Sequence, residues 1–118
     1  MELPEEPLKK PLEEPLKEPL EEVWDSEKQK VFVLSSMKDP ITQEFKPITD
    51  LAGVGKCTGE KLISLGFEYA YQLVGHYMVS SMDDEAIDHW LEEEAGIKRS
   101  ELRATIINTM RKWCEHHL

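Results

Sequence analysis

Apolar residues recur every fourth position at the start of this chain and at helical spacing from Trp24 onward. In "PEEPLKKPLEEPLKEPLEE" each of Pro7, Pro11, Pro15 and Pro19 is followed by a leucine, namely Leu8, Leu12, Leu16 and Leu20. On an α-helix a period of four would gather the leucines into a slowly drifting stripe, but a proline in every turn removes a donor and collides with the preceding turn. In polyproline II, with three residues per turn, the same period walks the leucines around the axis and builds no single apolar face. Residues 1–23 therefore read as a disordered, acidic Pro/Leu-repeat arm, solvated and semi-extended, with a dedicated peptide ligand as the other reading.

Beyond the arm the pattern predicts helices. "DSEKQKVFVLSSM" offers Asp25 and Ser26 as N-caps and carries Val31, Leu34 and Met37 at helical spacing, with Phe32 and Val33 between them; Asp39-Pro40 should close it. A loop through Pro47 leads to a short helical turn at "ITDLA", a glycine hairpin, and then "KCTGEKLISLG" with Gly66 as its C′ residue. "EYAYQLVGHYMVS" makes another helix. "DDEAIDHWLEEEAG" follows, with Asp83 as N-cap, acids in its first turn and Gly96 as its stop. The last helix starts at Ser100 and aligns Leu102, Ile106, Met110 and Trp113 on one side. No segment sustains strand alternation, so residues 24–118 read as one all-α domain.

Composition narrows the picture. In 118 residues of 40% hydrophobic content there is room for one small core. No run approaches the roughly 20 apolar residues that span a bilayer, and the start of the chain lacks a secretory pattern, so the expectation is no direct membrane insertion. The formal net charge of -10 is uneven: residues 1–25 hold nine acids against three lysines, and the remainder 15 acids against 11 bases. Cys57 and Cys114 make no disulfide framework, which suits a reducing compartment.

The chemistry centres on "LAGVGKCTGEKL", residues 51–62. In a G-h-G turn between helices the first glycine permits a positive φ, the small apolar Val54 pins the turn, and the second glycine lets a phosphate oxygen approach the backbone. The amides from Gly55 through Thr58 then point at the anion, aided by the helix dipole. Such a site holds DNA by its backbone and reads no sequence. A glycine turn used only for close packing would look the same, and Lys56 and Lys61, which favour the phosphate reading, are also ordinary surface lysines in the other.

Taken whole, "LAGVGKCTGEKLISLGFEYAYQLVG" resembles the barrier-to-autointegration factor family, and the likeness continues through Trp90-Leu91, Gly96, Trp113-Cys114 and Leu118 and back to "SEKQKVF" and Pro40. The resemblance implies a compact, SAM-like bundle of five to six short helices containing a helix-hairpin-helix. It implies a nuclear, partly cytoplasmic homodimer that bridges double-stranded DNA without sequence preference and binds LEM-domain proteins of the nuclear membrane. DNA contacts would fall on Lys28, Gly53, Gly55, Lys56, Cys57, Thr58 and Lys61; dimer and partner contacts on Gly75, Met78, Val79, Ala86 and Trp90; and a phosphorylation switch on Ser26. Core packing is the other reading of the partner set, Trp90 above all.

Several residues depart from the family pattern. Glu60 stands where a lysine is usual, Ser81-Met82 replace a basic pair, and the arm and the longer loop "PITQEFKP" are additions; Lys98 and Arg99 restore some positive charge. The alternative is a paralogue that keeps the dimer and the LEM groove, pairs with a relative, and has weakened or lost DNA binding. Cys114, His116 and His117 at the end of the last helix read as surface residues rather than a zinc site, His76 and His89 as packed within apolar helices, and Glu92–Glu94 as a solvated face. Nothing calls for a metal or cofactor. Without a Ser/His/Asp grouping or a catalytic cleft, the expectation is a protein that is not an enzyme.

Overall fold

A computed structural model of the chain describes residues 24–118; the Pro/Leu arm expected over residues 1–23 lies outside them. Five α-helices follow in order: α1 Glu27–Leu34, α2 Lys56–Ser64, α3 Ala70–Val79, α4 Asp84–Glu93 and α5 Ser100–His117, with a 3-10 turn at Ile48–Asp50 ahead of α2. The described residues contain no strand, only isolated bridges from Lys38 to Phe45 and from Pro47 to Tyr69. The all-α expectation holds.

Most boundaries have the local causes read from the sequence. Ser26 caps α1 by accepting the Gln29 N–H at 3.1 Å, and Asp83 caps α4 by accepting from Glu85 and Ala86. Gly66 and Gly96 take the positive φ that ends α2 and the α4 segment. Two boundaries differ. The first helix stops at Leu34 instead of reaching Met37, because Ser35 turns extended and its hydroxyl donates to the Val31 and Phe32 carbonyls. α3 starts at Ala70 because the Gln72 side chain reaches back to accept the Glu68 and Tyr69 N–H groups at 2.8 and 2.9 Å.

α1 lies along α5 and buries Gln29, Phe32 and Val33, so the expected stripe of Val31 and Leu34 faces outward, each more than half exposed. Gln29 is fully buried yet satisfied: its amide nitrogen donates to Thr109 Oγ1 at 2.9 Å and to Asp25 Oδ2, while its carbonyl accepts the Asp25 N–H. Farther along, Trp113 Nε1 donates to the Ser35 carbonyl and the His117 ring pairs with the Val33 carbonyl at 2.7 Å. The helix end read as a ligand-poor surface is thus partly inside: Cys114 is buried, and burial pushes its thiol up from the ordinary range. His89 is another correction, being exposed, whereas His76 packs as expected, 4.4 Å from Trp90 and 5.5 Å from Phe67.

The remaining core is aliphatic. Ile48, Leu51, Leu62, Leu73, Ile87, Leu91, Ile106 and Met110 are all fully buried, each contributing about 1.5–3 kcal/mol relative to exposure. Arg103 fastens the start of α5 to the segment before it, donating to Asp88 at 2.8 Å and to the Ile97 and Lys98 carbonyls. Tyr77 OH donates to Asp84, and burial with that carboxylate holds its phenol well above the usual range.

Candidate nucleic-acid interface

The hairpin is built by burial of its apolar members. Leu51, Ala52 and Val54 are inside, so the backbone between them must turn tightly. Gly53 makes the turn at φ +93°, and a Cβ there would lie 2.8 Å from Ile106 Cγ1 and 3.2 Å from the Leu102 carbonyl oxygen. This glycine is required twice, by its dihedral and by the close approach of α5. Gly59 is also a packing glycine: its Cβ would come within 2.8 Å of the Thr49 methyl, which seats α2 on the 3-10 turn.

Gly55 is different. It is the N-cap of α2 with φ -99°, and a Cβ there would meet nothing within 4 Å. The turn itself requires a glycine at Gly53; at Gly55 the backbone fronts open space. No side chain caps α2, and its internal ladder begins with the Gly59 N–H donating to the Gly55 carbonyl at 2.7 Å. The amides of Lys56, Cys57 and Thr58 precede that bond, so they face outward without a helical acceptor.

Packing of α1 brings a lysine from far along the chain to this spot. Lys28 Nζ donates to the Val54 carbonyl at 2.9 Å. Lys28 and Lys56 line one open cleft of about 460 Å³ with Gly55, Gly59, Ile63 and Glu60. Four features therefore converge: two ammonium groups, a glycine without a side chain, a set of unpaired amides and the positive end of a helix. Cys57 is exposed and Thr58 half-buried beside them. Glu60 opposes this field from within the same cleft.

Lys61 does not line the cleft. Its ammonium donates to the Gly96 carbonyl at 2.9 Å, on the segment that leads to Lys98 and Arg99. It thus belongs to a second basic edge near the start of α5, whose first turn also backs the hairpin through Leu102. Ser26 stands two residues before Lys28, exposed apart from its capping bond. Ile63, nearly half exposed on the cleft wall, was not singled out from the sequence; its place one turn beyond Gly59 on the same helix face is the signal that could have found it.

The expected partner residues lie on α3 and α4. Val79 is 84% exposed and Met78 more than a third, with Met82 beside them in a turn where both Ser81 and Met82 take positive φ. Gly75 is half-buried with open space at its Cβ position, and Ala86 is exposed. Trp90 is half-buried, its ring edge-on to Phe67 at 5.3 Å, so its packing role is visible within the chain.

The family model described as "Barrier to autointegration factor" matches residues 24–117. The chain belongs to the barrier-to-autointegration factor family. It is 31% identical to the barrier-to-autointegration factor of Homo sapiens over 93 residues, which is 79% of this chain and 97% of that protein. It is 32% identical over 93 residues to the Drosophila melanogaster protein, covering 79% and 96% respectively, and 32% to barrier-to-autointegration factor 1 of Caenorhabditis elegans, covering 79% and 97%. The matched stretch contains all the helices above, and the Pro/Leu repeat precedes it. Among the described residues no helix is long and apolar enough to cross a membrane.

Proposed function

We propose that this protein is a non-enzymatic, nuclear DNA-binding factor that grips the phosphate backbone of double-stranded DNA without reading sequence and bridges duplexes as a dimer. The observation that carries this reading is the cleft at the N-terminus of α2, where the outward amides after Gly55 meet the ammonium of Lys28 held at Val54. A backbone grip of this kind contacts phosphate oxygens, and phosphates carry register but no base identity. The exposed Met78 and Val79 supply an apolar surface suited to a homodimer and to a LEM-domain partner at the nuclear membrane. Lys61 with Lys98 and Arg99 would extend the contact along the duplex.

The test is a titration with two unrelated short duplexes over a range of salt. Three or four phosphates neutralised per site give log K against log salt a slope of roughly -3, the same for both sequences. A base-specific footprint, or no binding at low salt, refutes it.

One observation favours a second reading. Glu60 lines the cleft with the two lysines, and α4 with its cap carries Asp83, Asp84, Glu85, Asp88, Glu92 and Glu93 with no lysine or arginine. A protein that keeps the exposed α3–α4 surface but binds DNA weakly would act by pairing with a family relative or with LEM partners. Absence of duplex binding at low salt by a folded dimer would select it.

A further inference from the structure

A groove of about 560 Å³ runs between α4 and α5 and shares no residue with the cleft at Gly55. Ala104 and Ile107 of α5 make its floor. α4 makes one wall, held in place by two ion pairs: Asp84 accepts from Arg111 and Asp88 from Arg103, each at 2.8 Å. The opposite wall is Asp25, from the segment before α1, whose Oδ2 accepts the Asn108 amide at 3.1 Å. Ala104 is exposed and ends at its methyl group, so the middle of the floor lies open between these walls. Asp84 and Asp88 stand one turn apart on the flank of α4 opposite that of Ala86 and Trp90, so the groove is distinct from the α3–α4 surface described above.

The groove is apolar at its floor and acidic at its walls. Asp25, Asp84, Glu85 and Asp88 line it against one lining cation, Arg111, and Arg103 offsets one more charge from behind Asp88. Lys112, the next residue on α5, holds its ammonium 5.3 Å over the Trp24 ring. The groove thus stays net negative with both arginines counted, and the exposed Glu85 carboxylate has no bond or ion pair among the described residues. Past Arg111 the opening continues as a second cavity of about 310 Å³, which shares Asp84 and Arg111 with the first and adds Glu115, Met82 and Leu118. Met82 and Leu118 are both exposed. From Ala104 to the end of α5 this trough is about 20 Å long at 1.5 Å per helical residue.

These features select the occupant. Carboxylate walls repel a nucleic-acid backbone, and they disfavour residues 1–23 of the chain itself, which hold eight acids against three lysines. A straight apolar floor between walls of one charge suits a helix laid along it, with apolar anchors at i, i+4, i+7 and i+11 facing down and long basic side chains reaching sideways to the carboxylates. We propose that the α4–α5 groove is the docking site for a basic amphipathic helix of another protein, its anchors over Ala104 and Ile107 and its cations toward Asp25, Glu85 and Asp88, a role independent of the duplex grip at Gly55.

The test uses the full chain and a fluorescein-labelled peptide of about 14 residues, long enough as a helix to span the trough. It carries leucine at i, i+4, i+7 and i+11 and lysine elsewhere, and a control peptide of the same composition has its leucines scattered. The patterned peptide should bind about tenfold or more tightly than the control and weaken as salt is raised. Ala104→Lys, an exposed change that sets an ammonium in the middle of the floor, should weaken binding about tenfold or more, and Glu85→Gln about threefold at low salt. Amide resonances that move on titration should cluster on α4 and α5 around Ala104 and Asn108. No binding of the patterned peptide at low salt overturns the proposal, as do equal affinities for the two peptides, unchanged affinity in a folded Ala104→Lys protein, or resonances that move only around Met78 and Val79. A change in sedimentation of Ala104→Lys without peptide also overturns it, assigning the groove to a second copy of the chain.

Discussion

Gly53→Ala and Gly55→Ala change the same atom two residues apart, yet the structure predicts opposite consequences for them. At Gly53 an alanine must hold φ +93°, a conformation that costs an L-residue roughly 1–2 kcal/mol. Its Cβ also enters contact at 2.8 Å with Ile106, a fully buried β-branched side chain with no room to withdraw; such overpacking costs about 1–3 kcal/mol. The expected loss is therefore about 2–5 kcal/mol, and a domain of this size loses about 4–8 °C in melting temperature per kcal/mol. Gly55→Ala meets open space at an ordinary dihedral. A gain of about 0.4–1 kcal/mol from the stiffer unfolded chain is offset by alanine's weaker N-cap preference, leaving stability within about 1 kcal/mol of the wild type. Gly55→Glu is equally tolerated by the fold but sets a carboxylate over the outward amides. Losing one charge-assisted hydrogen bond, about 1.5–3 kcal/mol, lowers duplex affinity by about tenfold to more than a hundredfold. Urea unfolding and a duplex titration on all three variants check the series. A Gly53→Ala protein as stable as the wild type would falsify the packing account of the hairpin. A folded Gly55→Glu protein with unchanged affinity would remove the cleft from DNA binding.

Other substitutions probe the remaining residues. Lys28→Ala removes a surface hydrogen bond of little weight to stability, but duplex affinity should fall and the salt slope should shrink by about one unit; an unchanged slope shows that Lys28 meets no phosphate. Val79→Glu should leave the monomer's stability within about 0.5 kcal/mol, since Val79 is exposed, while burying an unpaired charge on association. Sedimentation matching the wild type takes Val79 out of the dimer contact. At Ser26 an alanine confounds the test by removing the α1 cap, worth about 1 kcal/mol, so the informative pair is Ser26→Asp against Ser26→Asn, which both cap and differ in charge. Weaker duplex binding by the aspartate alone supports a phosphorylation switch beside Lys28, and equal binding by the two counts against it.

Helix ends were legible because their causes are local: Asp83 and Ser26 as caps, Gly66 and Gly96 at positive φ. The orientation of α1 was not. "VFVL" is apolar at four consecutive positions, so periodicity alone leaves the buried side open, and the deciding residue is polar Gln29, which shares a face with Phe32 and Val33 and finds Thr109 eighty positions away. The hairpin itself was visible as a glycine pattern, and so was the positive φ of its first glycine, but the close approach of Ile106 to Gly53 was hidden, because it depends on tertiary packing. Lys28 entered through the family resemblance, and the bond that brings it to Val54 is a product of tertiary packing. In sequence Lys61 stands near the glycine hairpin as Lys56 does, yet on the helix it points to Gly96.

The pairing of α1 with α5 also sets an order of assembly. At eight residues α1 is too short to hold its shape alone, and its polar and apolar partners lie on the last helix of the fold, through Thr109, Trp113 and His117. These contacts span 78 to 84 positions, among the long separations whose loop-closure cost falls late in folding. During synthesis, the hairpin and α2–α4 leave the ribosome while α1 still has nothing to lie against. Lys28 reaches Val54 only after α5 has docked. The cleft beside Gly55 is therefore completed by the far end of the chain, and a nascent or C-terminally clipped domain would lack the lysine that completes it.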